Sequence, residues 1–319
     1  MDPNTNKNKT DSSVVMISDK KSGLPFSKGI LASSISVTGL DTLTAYKIAS
    51  EIQEYFIENK IYSLPLSELR AIAFRFVKER AGLEYAERYL LWQSVGKLEK
   101  PIIILIGGST GVGKSTIATI VASRLNITRV TSTDAIREVM RASVSDKLIR
   151  PLRGSSYNAY KNLTLPPSGV EPVILGFREQ ALAVCVGVDA IIKRNIEEKS
   201  DTVIEGAHVV PGYLNLEDYS SGAIIQEIVI SVPDKNIHKE HFTKRTIETQ
   251  GSRPMSKYIK HLDKIVMIQN YIEKLAREND VPIIENYNLD NVVNEILELI
   301  LQRVKNEFSK VGPEYTKIS

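Results

Sequence analysis

A run of five apolar residues, Ile102–Ile106, is followed directly by Gly-Gly-Ser-Thr-Gly-Val-Gly-Lys-Ser-Thr at positions 107–116. Inside that string, Gly108-x-x-x-x-Gly113-Lys114-Ser115 has the spacing of a phosphate-binding loop. The chemistry explains each residue type. Glycines at 108, 111 and 113 let main-chain N–H groups turn inward without Cβ clashes. Ser109, Thr110, Val112 and Thr116 complete the stretch that wraps a nucleotide's phosphates. Lys114 is a mobile point charge for the β and γ phosphates. Ser115 offers a hydroxyl to Mg²⁺. A helix starting near Lys114 turns its positive end toward the same anion. The pattern predicts nucleoside triphosphate binding.

Two carboxylates recur where such chemistry needs them. A second strand ends in Thr131-Ser132-Thr133-Asp134. A carboxylate at its tip lies across the mouth of the loop, where it can orient an attacking hydroxyl or act as its base. Asp134 also suits the N-cap of the helix that follows. A third strand ends in Val203-Ile204-Glu205-Gly206-Ala207-His208. Glu205 there can hold the water shell of a metal ion. His208, three residues on, either faces the acceptor or is a satisfied structural histidine.

Cations surround these positions. Between Asp134 and Lys161 there are six basic and three acidic residues, and between Asp234 and Lys264 eight and four. Arg137 and Arg141 share one helix face by their i, i+4 spacing. With Arg150 and Arg153 they can clamp a carboxylate or phosphate, or else form surface ion pairs. Arg245 and Arg253 lie in a charged helical stretch punctuated by Gly251 and Pro254, as a closing lid would be. A lid arginine can stabilise charge on a transferred phosphoryl group.

The elements that must position these groups follow from periodicity. Apolar runs at 102–106, 129–132, 202–204, 225–232 and 282–285 alternate with helical patterns at 114–125, 135–142, 176–198, 235–248, 255–279 and 289–308. Strands apolar throughout and separated by helices predict an α/β fold with a parallel sheet covered on both faces, its ligands beyond the strands' C-terminal ends. Residues 150–172 read as a long inserted loop at that edge. Ahead of residue 98 the pattern differs. Helices are predicted over 41–60, 66–81 and 83–97, with short strands near 14–17 and 23–26. The expected division is a polar tail at 1–12, a mainly helical domain at 13–97, a nucleotide-binding domain at 98–310 and a tail at 311–319.

Composition sets outer bounds. The chain has 319 residues, 42% hydrophobic and 25% charged, with a net charge of +3. That is globular, and too near neutral to favour a long polyanion such as nucleic acid. The longest apolar runs fall far short of a membrane span. The single cysteine, Cys185, excludes an internal disulfide, and a reduced cytoplasmic setting is expected.

Three longer strings carry a resemblance. LIGGSTGVGKSTIATIVASRL, STDAIREVMR at 132–141 and IEGAHVVPG at 204–212 resemble the 2-phosphoglycerate kinases. The likeness continues through SSYNAY at 155–160, RPMSKYIKHLDKIVMIQNY at 253–271 and IIENYNLD at 283–290. It implies a P-loop kinase fold, ATP with Mg²⁺, and a cytoplasmic enzyme converting 2-phosphoglycerate to 2,3-bisphosphoglycerate on the way to cyclic 2,3-diphosphoglycerate. LPFSKGILASSI and AERYLLWQ resemble an ATP-cone, a helical nucleotide-binding module, although its entry carries only Lys20, Lys21 and Lys28. A 2-phosphoglycerate acceptor presents a carboxylate and a phosphate beside the reacting C3 hydroxyl, which the two basic segments would complement. Roles then expected are Lys114, Asp134 and Arg245 in catalysis, Ser115 and Glu205 at the metal, and Arg137, Arg141, Arg150, Arg153, His208 and Arg253 at the acceptor. Alternatives left open are a P-loop kinase for another small anionic or polyol metabolite, a nucleotide sensor without turnover, and a kinase of nucleic-acid ends. Assembly into a homo-oligomer is also left open.

Overall fold

The computed structural model describes residues 15–19, 22–145, 148–163, 169–234, 237–238, 243 and 258–311. The chain divides into two compact units, Met1–Val95 and Gly96–Ser319.

In the first unit, β1 (Met16–Asp19) pairs antiparallel with β2 (Ser22–Pro25) and parallel with β3 (Ser63–Pro65). Four helices follow the strands in sequence or separate them: α1 (Lys28–Ser36), α2 (Thr42–Glu58), α3 (Leu66–Ala81) and α4 (Leu83–Ser94). Ser27 and Asp41 cap α1 and α2, each side chain accepting from a main-chain N–H three residues on. One core holds Ile35, Ile48, Ile52, Phe56, Val77 and Tyr89. Neither α1 nor β3 is legible in the sequence. The helix KGILASSIS carries three serines and a glycine, weak helix formers, and β3 is three residues long.

The second unit is built on a five-stranded, wholly parallel sheet: β4 (Ile102–Gly107), β5 (Val130–Ser132), β6 (Thr202–Glu205), β7 (Ile224–Ser231) and β8 (Ile283–Glu285), in the spatial order β5-β6-β4-β7-β8. The first strand therefore sits in the centre. The chain leaves it for the far edge at β5, returns beside it as β6, and then builds the other side. This reversal opens a crevice past the C-terminal end of β4. Every residue of β4 and β6 is buried, which is why β4 reads as an unbroken apolar run.

Helices cover both faces. On one, α6 (Thr133–Ser143) and α7 (Pro172–Glu197) pack Ile136, Val184, Val188 and Ile192 against Ile103, Leu105 and Ile204. Beside them α7 meets α8 (Leu262–Glu278) through Phe177, Ala181, Ile265, Ile268 and Ile272. On the other, α5 (Lys114–Arg124) packs against α9 (Leu289–Val311), whose Arg303 donates to Gln226 on β7. The fold class is the expected α/β one.

Three local expectations are corrected. The N-cap of α6 is Ser132, whose hydroxyl accepts from Ala135 N at 3.2 Å; Asp134 lies one residue inside the helix. Helix α7 begins four residues early because Glu171 caps it and Pro172 fits the first turn. The region 150–172 holds two 3-10 turns, Arg150–Arg153 and Ser156–Asn162. The helix expected at 235–248 and the start of the one expected at 255–279 lie outside the described residues, apart from isolated positions.

Candidate active site

The loop after β4 is shaped by what its neighbours leave free. Gly108, Gly111 and Gly113 all have positive φ (134°, 89° and 92°). A Cβ on Gly108 would overlap the Ile230 carbonyl at the end of β7, so the loop can lie against the sheet only with glycine there. Asn286, just after β8, donates its amide to Val112 O at 2.9 Å and packs on Gly113. Lys114 is buried, its Nζ curled over the loop to donate to Ser109 O at 2.7 Å. Ser109 is fully buried and donates to Gln269 of α8 at 3.4 Å.

Ser115 and Glu205 come together. The serine hydroxyl donates to Glu205 Oε1 at 2.9 Å, although 90 residues separate them. Strand pairing produces this: β6 lies next to β4, so its last residue faces the first turn of α5. Two hard oxygen donors thus sit at the mouth of the phosphate loop. That donor chemistry fits Mg²⁺, which takes one or two protein oxygens and completes its shell with phosphate and water.

Asp134 stands exposed at the start of α6, with Oδ1 3.7 Å from Arg137 Nε. Arg137 is turned inward. Its Nη2 lies 2.7 Å from Glu138, and its Nη1 donates to Leu152 O at 2.9 Å. Arg141 pairs with the same Glu138, at 2.6 Å, and stays largely exposed. These two arginines therefore share a carboxylate on their own helix instead of converging on open space. Arg150 and Arg153 are exposed at the two ends of a 3-10 turn whose middle, Pro151 and Leu152, is buried. That turn is tied to the phosphate loop through the next one, where Ser156 Oγ lies 3.3 Å from Thr110 Oγ1. Tyr157, within the stretch 150–172 read from the sequence as an inserted loop, is buried and stacked on His261 at 5.2 Å. Arg245 and Arg253 fall outside the described residues.

His208 is fully buried, with Nδ1 2.9 Å from Thr133 Oγ1 and Nε2 3.0 Å from Gln180 Oε1. Both nitrogens are taken, so the ring is a structural support and not a surface that touches an acceptor. Burial pushes its pKa down to about 4, helped by the charges of Arg137 and Lys114 and opposed by Asp134. It is neutral at ordinary pH.

Sequence reading misses four residues here: Thr133, Gln180, Gln269 and Asn286. Each works through a partner at least 28 residues away, and no short-range pattern marks such a contact.

No family model matches the chain. Individual relatives do. The 2-phosphoglycerate kinase of Methanothermobacter thermautotrophicus is 40% identical over 283 residues, 88% of this chain and 92% of that protein. That of Pyrococcus furiosus is 42% identical over 294 residues, 92% and 95% of the two chains. Among solved structures, a gluconokinase from Sinorhizobium meliloti 1021 aligns with 67% of this chain and 99% of its own, at 15% identity and a TM-score of 0.38.

Proposed function

The chain belongs to the 2-phosphoglycerate kinase family, and from that premise we propose that it transfers the γ-phosphoryl group of ATP to the C3 hydroxyl of 2-phosphoglycerate, giving 2,3-bisphosphoglycerate and ADP. It is a phosphotransferase. The observation that carries the mechanism is the Ser115–Glu205 pair at 2.9 Å beside the Lys114 that closes over the loop.

In this reading the amides of 108–116 and the α5 N-terminus hold the triphosphate. Lys114 leaves Ser109 O for the β and γ phosphates. Ser115 and Glu205 hold Mg²⁺, which would shield the phosphate charge during transfer. Asp134 accepts a hydrogen bond from the C3 hydroxyl and orients its oxygen toward the γ phosphorus. As that P–O bond forms, the bond to the β-phosphate oxygen breaks, ADP leaves, and the hydroxyl proton passes to Asp134 or to water. Arg150 and Arg153 receive the acceptor's carboxylate and phosphate, with Arg245 and Arg253 closing from the second basic segment. Arg137 and Arg141 pair with Glu138 on their own helix, and Arg137 also ties α6 to the Arg150–Arg153 turn through Leu152 O, which changes the role expected of them.

We further propose that the product feeds cyclic 2,3-diphosphoglycerate synthesis in the cytoplasm. Among the described residues no helix is long and apolar enough to cross a membrane. The expectation that the first unit is an ATP-cone stands as a proposal, resting on LPFSKGILASSI and AERYLLWQ.

The test is a coupled assay with Mg-ATP and 2-phosphoglycerate, 3-phosphoglycerate and glycerate in parallel, with products identified by phosphorus NMR. A 2,3-bisphosphoglycerate signal from 2-phosphoglycerate alone is the expected result. Transfer to another acceptor would keep the site and replace the substrate. ATP binding without transfer to any acceptor would favour a sensor.

A further inference from the structure

Three fully buried polar side chains, Thr133, His208 and Gln180, form one chain between the start of α6 and the Arg150–Arg153 turn. Its polarity can be worked out. Gln180 Nε2 lies 2.5 Å from Pro151 O and 2.8 Å from Gly154 O. Carbonyls only accept, so the amide nitrogen must face them and Oε1 must face the histidine. His208 Nε2, 3.0 Å away, therefore carries the proton, and Nδ1 accepts from the Thr133 hydroxyl at 2.9 Å. Every donor and acceptor along the path is used once in a single consistent direction.

The ends of the chain are where the proposed chemistry lies. Thr133 precedes Asp134 in the first turn of α6. It also supports Gly206, the residue after Glu205, so closely that a Cβ on Gly206 would overlap Thr133 Oγ1. At the other end the carbonyls of Pro151 and Gly154 belong to the turn that carries Arg150 and Arg153. Arg137 holds the carbonyl between them, Leu152 O, at 2.9 Å. With its carbonyls tied inward, that turn keeps both arginines exposed.

We propose that Gln180, acting through the neutral Nε2–H form of His208 and the Thr133 hydroxyl, is a positioning residue that fixes the Arg150–Arg153 turn relative to Asp134 and thereby sets the grip on the phosphoryl acceptor. The acceptor half of this inference rests on the function proposed above. The network itself does not.

Two measurements test it separately. In ¹⁵N-labelled full-length protein, with the His208 signals assigned by loss in His208→Gln, long-range proton–nitrogen spectra should show a neutral Nε2–H ring from about pH 5.5 to about pH 8. An Nδ1–H ring, or titration near pH 6.5, would overturn the network. In kinetics, Thr133→Val and Gln180→Glu keep the side-chain shape but remove donors. Each should raise KM for 2-phosphoglycerate about tenfold or more while KM for ATP stays within about twofold, and Thr133→Ser should recover most of the loss. An unchanged acceptor KM in folded Thr133→Val, an equal rise in both KM values, or no recovery by serine would overturn the positioning role. If the wild type does not use 2-phosphoglycerate at all, the acceptor assignment fails, and the histidine spectrum still decides the network.

Discussion

At the scale of single residues, the site is a set of charges whose neighbours decide what they do. Arg137 and Arg141 look alike in sequence, yet both are engaged with Glu138, and Arg137 also holds a carbonyl. Asn286 shows the opposite case, a residue with no charge whose side-chain hydrogen bond, to Val112 O, braces the phosphate loop. Asn286→Asp replaces that donor by an acceptor of the same shape. We expect KM for ATP to rise by roughly tenfold in initial-rate assays while the acceptor KM changes little. Glu227 gives a second prediction. Burial on β7, with no opposing charge to offset it, raises its pKa to about 7. The native state then holds this proton where the unfolded chain has released it, between about pH 4.5 and pH 7, so this group's contribution to stability falls as pH rises through that window. Glu227→Gln should match the wild type in thermal unfolding near pH 5 and exceed it near pH 8, by on the order of 2 kcal/mol. His208 acts with the opposite sign. Its depressed pKa costs stability as pH falls from about 6.5 toward 4, and His208→Gln should lessen that acid loss.

Elements bring these residues within reach of one another. Because β6 lies between β5 and β4, the tips carrying Ser132, Glu205 and Gly107 are adjacent, and the catalytic candidates inherit that adjacency. Helix α7 does more than cover the sheet. Its Gly176 allows the 3-10 turn Ser156–Asn162 to approach so closely that a Cβ would overlap the Tyr160 main chain. Gly176→Ala must push that turn away, since the obstacle is backbone and cannot rotate aside. The expected cost is about 1–3 kcal/mol, read as a lower melting temperature. The displaced turn should also weaken acceptor binding, because Gly154, at the end of the Arg150–Arg153 turn, packs against Ala159 within it. A melting temperature equal to wild type would show that the two elements are not in such contact.

For the whole molecule, the chain is two units, each with its own buried core, and the entire set of described site residues lies in the second. If the first unit senses nucleotide, removing it should leave a folded kinase whose dependence on ATP differs in shape from that of the full chain. A protein beginning at Gly96 is predicted to fold cooperatively, to retain transfer, and to lose any curvature in its ATP saturation plot. Saturation identical to that of full-length protein would leave the first unit no regulatory part.

The phosphate-loop pattern, the alternation of strands and helices, and the place of Glu205 at the end of its strand were legible from the residues alone. Each depends on local rules: glycine where φ is positive, apolar runs for strands buried on both faces, a carboxylate at the end of such a run. Strand order was not legible, and it is strand order that brings Ser115 to Glu205 across 90 residues. Nor was the fate of the individual cations and of His208. The identity of a side chain sets what it can bond to, but burial and the partners that folding places around it decide which bond it makes. Gln180 has no motif, and only the tertiary structure puts its amide between two carbonyls and a histidine.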